Sequence, residues 1–147
     1  MDIKLLPMSA ADVLKYVNYS DSYIKPAMET GTGETTYESL VGKALTEKAI
    51  FWMAFNEKDE VVGMASTEIM QFPAYRSVHL ITIGGIDGFG FEKYHKFLED
   101  YAKFVGAKDI QFWGRKGWSR AIDKVTGNND EKYKETYRVF SMEIKND

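Results

Sequence analysis

The sequence contains no cysteine, which excludes disulfides, thiolate metal sites and a cysteine nucleophile. Only two histidines are present, His79 and His95, too few for an imidazole-rich metal centre, and no metal is expected. No apolar run approaches the roughly 18 residues of a membrane-spanning helix. Basic residues are not in excess: the net charge is −3 and the pI is near 5.5. That balance argues against nucleic acid as the main partner, because holding phosphates usually takes a basic face. The start "MDIKLLPMSAADV" lacks the basic residues and long apolar core of a signal peptide. A soluble, cytoplasmic protein with no membrane partner is therefore expected.

What is present points to a folded chain. It has 147 residues, 44% hydrophobic and 14% aromatic, enough for a real core in a single domain spanning 1–147. "IKLLP" (Ile3–Pro7) reads as a strand. Ser9 then caps a helix, with Asp12 placed to complete a capping box, and Val13, Leu14 and Val17 are expected on one helical face. Ser20–Thr36, rich in Gly, Ser, Thr and Pro, reads as a long loop with room for a helical turn. The spacing of Tyr37, Leu40, Val41, Ala44 and Leu45 predicts a helix over Thr36–Lys48. A hairpin follows, with strands Ile50–Asn56 and Val61–Met70 around the charged turn "NEKDE", and then a strand over Ser77–Ile83.

Next comes "HLITIGGIDGFGFEKYHKF" (His79–Phe97). Four glycines fall between Gly84 and Gly90, after a strand and immediately before a helix. The helix carries Phe91, Tyr94, Phe97, Leu98, Tyr101, Phe104 and Val105 as an apolar stripe, and Gly106 is placed to end it. "DIQFW" (Asp109–Trp113) reads as a strand, "GWSRAIDKVTG" (Gly117–Gly127) as a short helix, and Lys132–Ile144 as one long strand or two short ones. The order β-α-α-β-β-β-α-β-α-β predicts a mixed α/β layer with an antiparallel hairpin region and one βαβ crossover.

Glycines between a strand and a helix let backbone N–H groups converge on a pyrophosphate, helped by the orphan amides of the helix start. Lys93 falls in the first helical turn. The strict dinucleotide and P-loop patterns are both absent, so a simple connecting turn is an equal reading of these ten residues. With the order of elements added, the chain resembles the GNAT family, the GCN5-related N-acetyltransferases, most clearly from Ile50 to Ile144. In that family the pattern [Q/R]-x-x-G-x-[G/A] opens the longest helix and holds the pyrophosphate of acetyl-CoA. Here it lands on "GIDGFG", with Gly88 and Gly90 at the glycine positions and Gly85 in place of the Gln or Arg.

The resemblance implies an α/β (α+β) acyl-CoA N-acyltransferase fold, a mixed, mostly antiparallel sheet flanked by helices. It implies acetyl-CoA as cosubstrate, lined by backbone of Ile81, Ile83, Gly88, Phe89, Gly90 and Phe91, and a small-molecule or peptide amine as acceptor. A second family motif is degraded: Trp118 stands at its Asn position, Ala121 at its Ala, and Val125 at the Tyr that serves as general acid. Tyr133 and Tyr137 are candidate replacements. Acetyl transfer also needs the amine deprotonated. Glu68 and His79, on adjoining strands, are the candidate bases, each weighed against an ordinary structural role. Arg115, Lys116 and Arg120 are candidate contacts for CoA phosphates or an acidic partner, and Tyr16, Tyr19 and Tyr23 candidate walls of an acceptor pocket. A protruding last strand would suit a homodimer. The rival reading is a GNAT-like binding or structural protein without catalysis, of a kind known among phage-encoded proteins, with Phe89, Trp113 or Trp118 plugging the gap between strands.

Overall fold

The structure, a computed structural model, describes residues 3–29, 35–85 and 91–112 and the isolated positions 140, 142 and 144, with the backbone alone at 29 and 91–94. Strand β1 (Lys4–Pro7) leads into α1 (Ala10–Lys15). The capping box is present: Ser9 Oγ accepts the Asp12 N–H at 3.2 Å, and the Asp12 carboxylate accepts the Ser9 N–H at 3.3 Å. The helix does not run on. Tyr16 leaves helical geometry at φ −109° and ψ 31°, and α2 (Val17–Tyr23) and α3 (Lys25–Glu29) follow.

Two expectations fail here. Val13 is 2% exposed, but Leu14 is 65% and Val17 40% exposed, so the three do not share a buried face. Leu14 lies about 100° around the helix from Val13, and the break at Tyr16 resets the phase for Val17. Ser20–Thr36 is also not simply a loop. Its first part is helical because Ile24 is fully buried and its neighbours close helical hydrogen bonds, Ile24 N–H to Ser20 O at 2.8 Å and Met28 N–H to Ile24 O at 3.1 Å. Tertiary burial overrides the poor helix propensity of Asn, Ser and Asp.

Helix α4 (Tyr37–Leu45) is capped by Thr36, whose Oγ1 accepts the Ser39 N–H at 3.1 Å. Strands β2 (Ile50–Phe55), β3 (Val61–Gln71) and β4 (Arg76–Gly85) follow, then α5 (Phe91–Phe104) and β5 (Asp109–Gln111). The sheet order is β1-β2-β3-β4-β5. Its pairings are antiparallel except β4–β5, which is parallel, as the crossover through α5 requires. The expected mixed, mostly antiparallel sheet flanked by helices is therefore what the chain forms. Strand β5 is shorter than expected and stops at Gln111. Trp113 and the expected helix over Gly117–Gly127 lie outside the described residues, as does most of the Lys132–Ile144 segment.

Each face of the sheet is covered. On one, Leu5, Trp52, Ala54, Ala65 and Leu80 pack with Leu98 of α5. On the other, Phe51 and Met64 pack with Val13, Ile24, Leu40 and Ala44 of the helices between β1 and β2. The first core contains a satisfied polar pair, with Trp52 Nε1–H donating to Thr67 Oγ1 at 2.8 Å. The Tyr101 ring packs edge-on against Trp52 at 4.8 Å between centroids. Phe104 departs from the expected stripe and is 88% exposed. It lies about 120° around the helix from Leu98, past the edge of the face formed by Leu98, Tyr101 and Ala102.

Candidate active site

The sheet forks between β4 and β5. The two pair only over Ser77–His79 and Asp109–Gln111. Beyond His79, β4 continues to Gly85 along β3, from Leu80 opposite Thr67 to Gly85 opposite Gly63. Among the described residues, no strand pairs with Leu80–Ile83 on the β5 side. That stretch of four residues spans about 13 Å at ~3.3 Å per residue. Strand β4 itself ends five residues before α5 begins.

Two local features shape the fork. A bulge sets Ser66 opposite Thr82 but Thr67 opposite Leu80, leaving Ile81 as the extra residue. Bulges bend a strand and increase its twist. The bulge also sends Ile81 to the core beneath the N-terminal helices, while Ile83 packs in the core beneath α5. The other feature is a pin at the closed end. Arg76 Nη1 donates to the carbonyl of Val105 at 2.8 Å, and the Lys108 N–H to the carbonyl of Arg76 at 2.8 Å. These bonds tie the end of α5 and the start of β5 to the start of β4.

At the apex lie the two sequence-predicted bases. Glu68 and His79 are direct cross-strand partners, which places their Cβ atoms about 5 Å apart on one face. His79 is also the last residue of β4 to pair with β5. Glu68 is not simply a solvated residue. It is 22% exposed, and both its oxygens lie 3.2 Å from Lys43 Nζ of α4. Burial pushes the His79 imidazole below its ordinary pKa of 6.5, opposed by the Glu68 carboxylate and reinforced by the Lys43 ammonium. Burial thus favours the neutral imidazole.

Beside His79, Gln111 Nε2 lies 3.2 Å from both Tyr75 Oη and Asp109 Oδ2. An amide facing a carboxylate must present its N–H groups, so Asp109 fixes how the Gln111 side chain is turned. Lys108 Nζ sits over the Tyr75 ring at 5.0 Å. On the helical side, the fork's open end is bounded by the end of α2. A Cβ on Gly84 would run into the carbonyl oxygen of Tyr23, so only glycine lets β4 approach the helix this closely. Tyr16 and Tyr19 form a tilted ring pair away from the buried core, 6.2 Å between centroids.

The structure thus brings Glu68 and His79 together at the fork and places Ile81 and Ile83 on its open edge. Their side chains diverge to opposite faces, so only their backbones can serve one ligand lying along β4. Gly88, Phe89 and Gly90 lie outside the described residues, as does the Phe91 side chain. So do Arg115, Lys116, Trp118, Arg120, Ala121, Val125, Tyr133 and Tyr137. Sequence reasoning did not anticipate Lys43, Tyr75, Asp109 or Gln111. Nor did it anticipate the facing of Glu68 and His79, whose one signal is the short turn between Gln71 and Arg76, across which 68 pairs with 79. Lys43 left no such signal, since its partner lies 25 residues away on another element. Among the described residues no cluster of His, Asp and Glu is placed to hold a metal ion, and no helix is long and apolar enough to cross a membrane.

No protein-family model and no curated protein matches the sequence. The fold does match solved structures. One is a ribosomal-protein-alanine N-acetyltransferase from Brucella melitensis biovar Abortus 2308, with a TM-score of 0.67 at 10% identity over 97% of this chain and 99% of that one. Another is an aminoglycoside acetyltransferase from an uncultured soil metagenomic sample, crystallised with sisomicin, with a TM-score of 0.62 at 11% identity over 95% and 97%. A third is a glucosamine-6-phosphate N-acetyltransferase from Arabidopsis thaliana, with a TM-score of 0.56 at 15% identity over 93% and 99%. The chain has the GNAT acetyltransferase fold, in a divergent sequence.

Proposed function

We propose that the protein is an acyl-CoA-dependent N-acetyltransferase that moves an acetyl group from acetyl-CoA to an amine. The observation that carries this reading is the fork itself. Beyond the Glu68–His79 pair at its apex, β4 continues through Leu80–Ile83 with no strand on the β5 side among the described residues, toward the segment that precedes α5. An extended amide-containing arm fits such an edge by adding main-chain hydrogen bonds, and the helix start suits its phosphates. The described residues fit acetyl-CoA on those grounds, with Ile81 and Ile83 contributing backbone. Gly88, Phe89, Gly90 and Phe91 are the proposed pyrophosphate cradle by sequence. When bound, the thioester supplies an activated acyl carbon.

This chain's residues have two tasks. The fork orients the thioester toward the apex. His79 accepts the proton that the amine nitrogen loses as its bond to the acyl carbon forms and the carbon–sulfur bond breaks. The thiolate leaves with the sulfur's electron pair and is protonated from solvent or from a nearby acid. The acceptor class rests on the neighbours, whose names cover an aminoglycoside, a ribosomal-protein alanine and glucosamine 6-phosphate. A small-molecule or peptide amine is the reading in common.

The test is thermal unfolding with acetyl-CoA, CoA and ATP, followed by an amine screen that reads released thiol. Ligand at 100 times its Kd stabilises a fold by about 2.7 kcal/mol, or roughly 5–10 °C at this size. A rise with acetyl-CoA and CoA but not ATP is expected. No rise with any of them would refute the reading and leave the rival, a non-catalytic binding or structural module.

A further inference from the structure

Lys43 lies outside every expectation raised by the sequence, yet it reaches the apex from α4. Its Nζ is 3.2 Å from each oxygen of Glu68. That two-oxygen grip holds the carboxylate toward α4. The cross-strand register holds Glu68 opposite His79, and the parallel register sets Gln111 on the other flank of His79. Gln111 is itself turned by Asp109 and Tyr75. Among the described residues, the charged groups around the imidazole are Glu68 from β3, Lys43 from α4 and Asp109 from β5, the last engaged by Gln111.

We propose that Lys43 is a positioning residue: by gripping both oxygens of Glu68 it fixes the carboxylate beside His79 and so sets the charge that the imidazole feels. The catalytic part of this assignment rests on the acetyl-transfer reading. The coupling of the three side chains does not.

The pair is worth little as stability. Lys43 is 37% exposed and Glu68 22%, and such ion pairs contribute about 0–1 kcal/mol. Removing it should therefore leave the fold intact while changing the charge seen by His79, which a merely structural role would not do. The test is an NMR titration of the His79 ring in free protein, for the parent and for Lys43→Met, Glu68→Gln and the double variant. Lys43→Met leaves an unpaired carboxylate beside the ring and should move the His79 midpoint up by about 0.5–1 pH unit. Glu68→Gln leaves an unpaired ammonium and should move it down by a similar amount. The double variant should return close to the parent, because the two charges act on one ring. With acetyl-CoA and any amine from the screen, the acid limb of kcat/KM should follow the same order. Midpoints that stay within about 0.2 pH unit of the parent in both single variants would overturn the proposal. If instead the midpoints move as expected but acetyl-CoA gives no thermal shift, the acetyl-transfer reading fails and the side-chain coupling stands.

Discussion

The approach of β4 to α2 can be tested with one methyl group placed at two glycines. Gly84 lies near the end of β4, where a new Cβ would run into the backbone carbonyl of Tyr23. Neither atom belongs to a side chain that can swing away, so β4 or the end of α2 must shift. Overpacking of this kind costs about 1–3 kcal/mol. Gly42 is within α4, and a Cβ there meets nothing within 4 Å. Alanine in a helix interior is favoured over glycine by about 1 kcal/mol. Both substitutions restrict the unfolded chain equally, so comparing them isolates the native contact. At about 2–4 °C per kcal/mol for a chain of this size, Gly84→Ala should lower Tm by about 2–12 °C. Gly42→Ala should raise it by about 2–4 °C. Thermal and urea unfolding of both variants beside the parent are the assays. Shifts of the same sign and similar size would refute the reasoning, because they would show that β4 does not meet α2 as described.

Other outcomes follow from individual contacts. Thr67→Val removes the acceptor of the buried Trp52 N–H and should destabilise the fold by about 1–3 kcal/mol, the usual cost of an orphaned buried donor, measured as a lower urea midpoint. A pH series tests the burial of His79, whose folded pKa is held below 6.5 mainly by desolvation. The unfolded imidazole then binds a proton at a pH where the folded one does not. Stability should be fully present above about pH 6.5 and decline as pH falls from there through the folded pKa. His79→Gln should flatten that part of the curve between pH 5 and 7, and an unchanged curve would show that the ring is not desolvated.

The GNAT-like architecture was legible because its carriers are local. The hairpin strands, the capping box at Ser9 and the repeat of apolar residues in α5 each follow from rules acting over a few residues. The helical start of the Ser20–Thr36 segment was legible only as a turn, not as the two helices it forms. Asn18, Ser20 and Ser22 have little helix propensity, and only the burial of Ile24 in a core shared with Phe51 and Met64 makes the helix favourable. The exposure of Leu14 and Phe104 escaped the same rules, because each lies just past the edge of a face whose centre only packing defines.

The candidate site divides along the same line. By itself the sequence determined that a strand would end in glycines before a long amphipathic helix, and that Glu68 and His79 would sit on adjoining strands. These follow from the pattern of neighbouring residues. Only the tertiary structure decided that Glu68 would face His79, that the described pairing of β4 with β5 would end at His79, that Ile81 would be bulged, and that Lys43 would reach across from α4 to grip Glu68. Those outcomes depend on how far two layers of helix can approach one sheet, a quantity set by the whole core and by no single stretch of chain.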